Sequence, residues 1–234
     1  MDSKWGLRIT DCGFRTTLLS LVVVLLIPVL AVPAGGAEPG AEARPILAIV
    51  PFIVEKVEDP GRGAVCPVCG GIHRSSEVPA GVPHVQTLVL YAKVEALGVF
   101  NIFPIEKVEE ALFKKGGGQS SGISSLVEMG KELNANYVMV SILFRFEERV
   151  GSSLGVDKPA SVAFDLHLYR LRDGKKVWDG DFDETQKPLF DDLLRTGSFL
   201  RRKAKWLTAA DLAEVGMEET LRKLPSVKEL EEKR

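Results

Sequence analysis

An α+β fold is what this sequence predicts: an α/β arrangement with a single mixed sheet, helices packed on it and an antiparallel hairpin toward the C-terminal end. Three observations predict it. ILAIVPFIV, Ile46 to Val54, is continuously apolar, as a strand covered on both faces would be. Segments of helical spacing follow between His84 and Asn134. SVAFDLHLYRL then alternates apolar with polar residues, and RDGKK and KVWDGDFDE supply a tight turn and a returning strand.

Residues 1–16 carry Lys4, Arg8 and Arg15, and lead into the apolar run Thr17 to Val32. The run is about 16 residues, short of the roughly 20 that a spanning helix needs, and ends in the small residues AVPAGGAEPG. Residues 1–37 therefore read as a signal peptide cleaved after Ala34 or Ala37, with an uncleaved inner-membrane anchor through residues 17–32 as the alternative. Cys12 precedes the apolar run, the wrong side for a lipid-modified cysteine. The expected location is periplasmic or secreted.

Residues 38–234 suffice for one well-packed domain. With 30 basic against 32 acidic residues, the charge balance argues against nucleic acid as a partner. Residues 38–45 form a flexible lead, and a single domain is expected over 46–225. After the first strand comes a Gly- and Pro-rich loop, 55–83, and a loop that long inside a compact domain is usually functional, disordered or cross-linked. A helix from His84 places Val85, Leu88, Val89, Ala92 and Leu97 on one face and ends at Gly98. VFNIF is a short strand, and Pro104 opens a helix striped by Ile105, Val108, Ala111 and Leu112.

GGGQSSG lacks the Lys of a phosphate-binding loop and reads as a linker. A third helix buries Ile123, Leu126, Val127 and Leu133 and stops near Asn134. NYVMVSILFRFEE reads as a central strand, with Val138, Val140, Ile142, Phe144 and Phe146 on one face. In the next strand Val162, Phe164, Leu166 and Leu168 face inward, and Asp165 and His167 face outward. The hairpin turns at Asp173-Gly174. Asp179, Asp181 and Asp183 share a face of the returning strand, which reads as solvated. KPLFDDLLR predicts a helix, Thr208 to Asp211 a capping box before Leu212, Val215, Leu221 and Leu224, and 226–234 a charged tail that frays.

LAIVPF, GVFNIFP, KELNANYVMVSILFRFEE and LYRLRDGKKVWDGDF together resemble the amino-terminal domain of TolB and its relatives, among them the curli-secretion lipoprotein and the lipoprotein activator of penicillin-binding proteins. The resemblance implies an anticodon-binding-like, non-enzymatic domain of the cell envelope that docks against other envelope proteins. The cysteine-bearing loop lies outside that pattern.

The loop holds the loudest chemistry, AVCPVCGGIH. CPVCG has the form of a zinc knuckle, whose two thiolates need two further ligands, and His73 and His84 complete a Cys₂His₂ set with Cys66 and Cys69. In an oxidising compartment the same pair could instead close a Cys66–Cys69 disulfide or act as a redox couple. The redox reading is disfavoured because no helix begins at the motif, and haem attachment is excluded because Gly70 stands where a His is required. No Ser/His/Asp set can be nominated.

Phe199 to Leu207 interleaves Arg201, Arg202, Lys203 and Lys205 with apolar residues and Trp206. It reads as a connecting segment with hydrated charges, or as a strip lying on a membrane surface or wall polymer.

Overall fold

Two strands with apolar residues on both faces set the architecture. The computed structural model describes residues 44–55, 63–116, 122–152, 155–186 and 206–233. The element order is β1 (Ile46–Ile49), β2 (Ile53–Val54), β3 (Ala64–Val65), β4 (Ile72–His73), α1 (Val82–Leu97), β5 (Asn101–Ile102), α2 (Ile105–Lys114), α3 (Ile123–Glu132), β6 (Tyr137–Glu147), β7 (Val150–Gly151), β8 (Val156–Lys158), β9 (Ser161–Arg170), β10 (Lys175–Thr185), α4 (Ala209–Leu221) and α5 (Val227–Glu232). The signal segment and the helix expected at KPLFDDLLR lie outside the described residues. Among the described residues no helix is long and apolar enough to cross a membrane.

The main sheet runs β10-β9-β6-β1-β5, with β2 also pairing β6. β1 is parallel to β5 and β6, and β6, β9 and β10 are antiparallel, so the sheet is mixed as its sequence predicts. Pro51 separates β1 from β2, which splits the single strand expected over Ile46 to Val54. β6 and β9 are central and buried on both faces.

Each face carries its own core. On one, Leu47, Ile49, Tyr137, Met139, Phe164, Leu166 and Leu168 meet Leu90 and Val94 of α1, Leu212 and Met217 of α4, and Leu230 of α5. On the other, Ala48, Val50, Val138, Val140, Ile142 and Phe144 meet Val108 and Leu112 of α2, Leu126, Val127 and Met129 of α3, and Ala64 and Cys66 of the loop.

Four expectations shift. Helix α1 buries Gln86, Thr87, Leu90 and Val94, whereas Val85 is 52% and Leu88 46% exposed and Leu97 is exposed too. The helix is rotated from the apolar stripe because the Thr87 hydroxyl accepts the Phe52 backbone N–H at 2.9 Å and donates to Pro83 O at 2.7 Å. In β6 a bulge between Leu143 and Arg145 reverses the alternation, so Phe146 packs on the α1 side and not beside Phe144.

Residues 226–233 do not fray: Ser226 and Glu229 form a capping box and Leu230 is fully buried. Arg170 anchors this helix, donating from Nη1 to Leu230 O at 2.7 Å and from Nη2 to Lys233 O at 2.8 Å. Finally, Asp165 and His167 are each 1% exposed. They do lie on the face opposite Phe164 and Leu166, but the cysteine loop covers that face.

Candidate metal centre

The covering loop is built from short local bonds. Cys66 N–H donates to Gly71 O at 2.7 Å and Gly70 N–H to Cys66 O at 2.9 Å, which folds CPVCG into a tight turn. Gly70 takes φ +77°, a left-handed conformation that glycine adopts without steric cost. The flanking strands β3 and β4 pair Ala64 with His73 and Val65 with Ile72. Ala64 and His73 turn to the sheet, while Val65 and Ile72 are 55% and 71% exposed.

The sheet receives the loop with specific bonds. The His73 ring stacks on Phe144 with centroids 4.3 Å apart, Ser76 N–H donates to Phe144 O at 3.1 Å, and Arg145 Nη1 donates to Arg74 O at 2.7 Å. Thus Cys66 and Cys69 arrive above the polar residues of β9. Cys66 Sγ lies 3.2 Å from His167 Nε2, and Cys69 Sγ 3.5 Å from Asp165 Oδ2. One donor atom from each of Cys66, Cys69, Asp165 and His167 falls within 4.8 Å of the others. Both cysteines are free thiols.

The surroundings orient these donors. His167 Nδ1–H donates to Asp179 Oδ1 at 2.7 Å, which leaves Nε2 with its lone pair toward the sulfurs. Lys176 Nζ holds Asp179 from the other side at 2.8 Å. His73 bridges two carboxylates, with Nε2 3.2 Å from Asp165 Oδ2 and Nδ1 3.2 Å from Asp183 Oδ2, and Arg145 donates in turn to Asp183. Asp165 Oδ1, fully buried, has His73 Nε2 3.1 Å away, but that N–H is directed to Oδ2, and Oδ1 accepts no hydrogen bond among the described residues.

The acidities follow from burial and these contacts. Burial pushes the Cys66 thiol up to about 12, with neighbouring backbone N–H groups acting against it. Hydrogen bonds to Asp165 and Asp183 raise His73 to about 9, so it sits as a cation between two anions. Burial lowers His167 despite Asp179, keeping its imidazole neutral. Burial works to raise Asp165, but hydrogen bonds from His73 and Cys66 outweigh it and hold the carboxyl below its ordinary range.

Neutral imidazole, one carboxylate and two thiols form a donor set suited to a tetrahedral divalent ion. The same residues contain a Cys66–His167–Asp179 series like that of a cysteine nucleophile, but Cys66 is 1% exposed, which bars a bulky substrate from its sulfur.

Of the residues expected from the sequence as ligands, Cys66 and Cys69 converge. His73 stands behind them, bonded to Asp165 and not within the four-donor group. His84 lies exposed at the start of α1 with Nδ1 3.6 Å from Glu109. Asp165 and His167 escape sequence reasoning, because strict alternation makes them look solvated and about a hundred residues separate them from the cysteines. The signal for them is the two-residue spacing of an acid and a histidine on one strand face, in a sheet with an otherwise unexplained loop. Arg201, Arg202, Lys203 and Lys205 lie outside the described residues; Trp206 is half-buried and Leu207 buried.

Neither a protein-family model nor a curated protein matches the chain. Among solved structures it is similar to the LpoB C-terminal domain from Escherichia coli, at 16% identity and TM-score 0.39, covering 64% of this chain and 89% of that one. It is similar to the PelC dodecamer from Paraburkholderia phytofirmans, at 16% and 0.44, covering 78% and 89%. It is similar also to Lipoprotein GNA1162 from Neisseria meningitidis, at 15% and 0.42, covering 68% and 98%. All three identities are 16% or lower, and all three TM-scores lie below 0.5.

Proposed function

We propose that this chain is a non-enzymatic cell-envelope protein that works through contacts with other proteins, and that a zinc ion held by Cys66, Cys69, Asp165 and His167 fastens its long loop to the sheet. One observation carries the metal: donors from two distant segments, two sulfurs, a carboxylate oxygen and a neutral imidazole nitrogen, lie within 4.8 Å of one another. Four protein ligands fill a tetrahedral shell, which is the mark of a structural site and not of a hydrolytic one. The zinc would supply bonding and no chemistry. The envelope setting is supported by the apolar run after a basic start, and the contact role by a fastened hairpin that turns Val65 and Ile72 to solvent.

The test is metal content. The purified chain, reduced and exposed to zinc, is expected to retain about one equivalent after desalting. Cys69→Ser and His167→Ala should lose it, while His84→Ala should keep it. Cobalt(II) in place of zinc should show thiolate charge-transfer absorption that disappears in Cys69→Ser, where an exposed position leaves the fold intact. A wild-type chain that holds neither ion overturns the reading.

A further inference from the structure

The two sulfurs of the centre are within 4.8 Å of each other yet differ in access: Cys69 is exposed and Cys66 is 1% exposed beneath the loop. We propose that the centre is a thiol-modification site at which a small-molecule disulfide, such as oxidised glutathione, enters at Cys69 and leaves a Cys66–Cys69 disulfide that cannot hold the metal. Release of the ion rests on the zinc reading above, whereas the order of thiol chemistry does not.

Access fixes the order of steps. The Cys69 thiolate attacks one sulfur of the oxidant. The oxidant's S–S bond breaks, a Cys69–glutathione bond forms, and one glutathione leaves as thiolate and takes a proton from water. Cys66 then attacks Cys69 Sγ. The Cys69–glutathione bond breaks as the Cys66–Cys69 bond forms, and the second glutathione leaves as thiolate and takes a proton from water. The cysteine pair gives up two electrons, together with two protons to solvent in the metal-free chain or with Zn²⁺ in the loaded one, and the oxidant gains two electrons and two protons as two molecules of glutathione.

The turn favours the second step. The bonds Cys66 N–H to Gly71 O and Gly70 N–H to Cys66 O already fold the segment so that the two side chains share one side. Gly71 leaves room: a Cβ there would come within 3.3 Å of both Cys69 Sγ and His73 Nε2. Since the thiolate and not the disulfide sulfur ligates metal, oxidation removes two of four donors at once. Asp165 and His167 remain, too few to retain the ion. The loop then loses its attachment through the cysteines but keeps its His73 and Arg74 contacts with β6 and β9.

The test exposes the full zinc-loaded chain to excess oxidised glutathione, with zinc release read by a chromogenic chelator and the product by intact mass. Zinc should leave in step with the loss of two hydrogens from the chain. Cys66→Ser should stop at a single glutathione adduct on Cys69, and Cys69→Ser should gain none. Because variants can misfold, alkylation of the wild-type chain followed by peptide mapping gives an independent measure, with Cys69 modified at least about tenfold faster than Cys66. Equal alkylation rates, or a chain that keeps its zinc and its mass under the oxidant, overturn the proposal. A chain that binds no zinc but follows the same thiol order refutes only the metal reading and upholds the modification site.

Discussion

At the scale of single residues, Asp179 matters more than its exposed position implies. It fixes the tautomer of His167 through the 2.7 Å bond to Nδ1. Asp179→Asn keeps the size but replaces the carboxylate with an amide that can present an N–H to Nδ1 and turn the lone pair away from the metal. Zinc affinity should fall by about 10- to 100-fold, read by competition with a chromogenic chelator, with the far-ultraviolet spectrum unchanged. The cysteines of this centre are legible in the sequence because a C-x-x-C spacing is covalent and survives any fold. Asp165 and His167 are not, because alternation reports which face a residue takes and says nothing of what covers that face. Proximity in sequence makes His73 look like a ligand; its ring is engaged by Asp165 and Asp183, an arrangement that only the strand register decides.

At the scale of elements, α4 lies against β10 by way of two glycines. A Cβ on Gly216 would come within 2.6 Å of the Phe182 ring, and one on Gly180 within 2.4 Å of Thr220 Cγ2. Gly216→Ala should therefore force α4 outward or turn Phe182 out of its stacking with Phe164, costing about 1–3 kcal/mol. Urea unfolding would measure it, and an unchanged midpoint would show that the contact yields freely. Strands, the Asp173-Gly174 hairpin and α2 can be read from periodicity alone, since packing there agrees with the apolar pattern. For α1 the pattern misleads, because a backbone N–H at Phe52 requires Thr87 beneath it. The tail misleads as well, since a charged sequence says nothing of the buried Arg170 that donates to its last carbonyls.

At the scale of the molecule, the four donors come from a segment early in the chain and from β9, about a hundred residues later. An ion that binds only the folded form stabilises it by mass action, about 4 kcal/mol when free zinc exceeds its dissociation constant a thousandfold. Thermal unfolding should rise with added zinc and fall on chelation, and the dependence should vanish in His167→Ala. The mixed sheet itself is visible in the sequence, because its strands carry their burial pattern openly. Its covered outer face is not, because the cover comes from a loop with no periodicity.

A modest pair of bonds governs how this chain tolerates change. Leu207 N–H donates to Gln186 Oε1 at 2.8 Å, and Gln186 N–H donates to Ala160 O at 2.9 Å, so the chain leaves the sheet after β10 and returns to it at almost the same point. One side chain therefore holds the point at which the described chain resumes: Gln186→Ala would leave the buried Leu207 N–H without its acceptor, at a cost of about 1–3 kcal/mol.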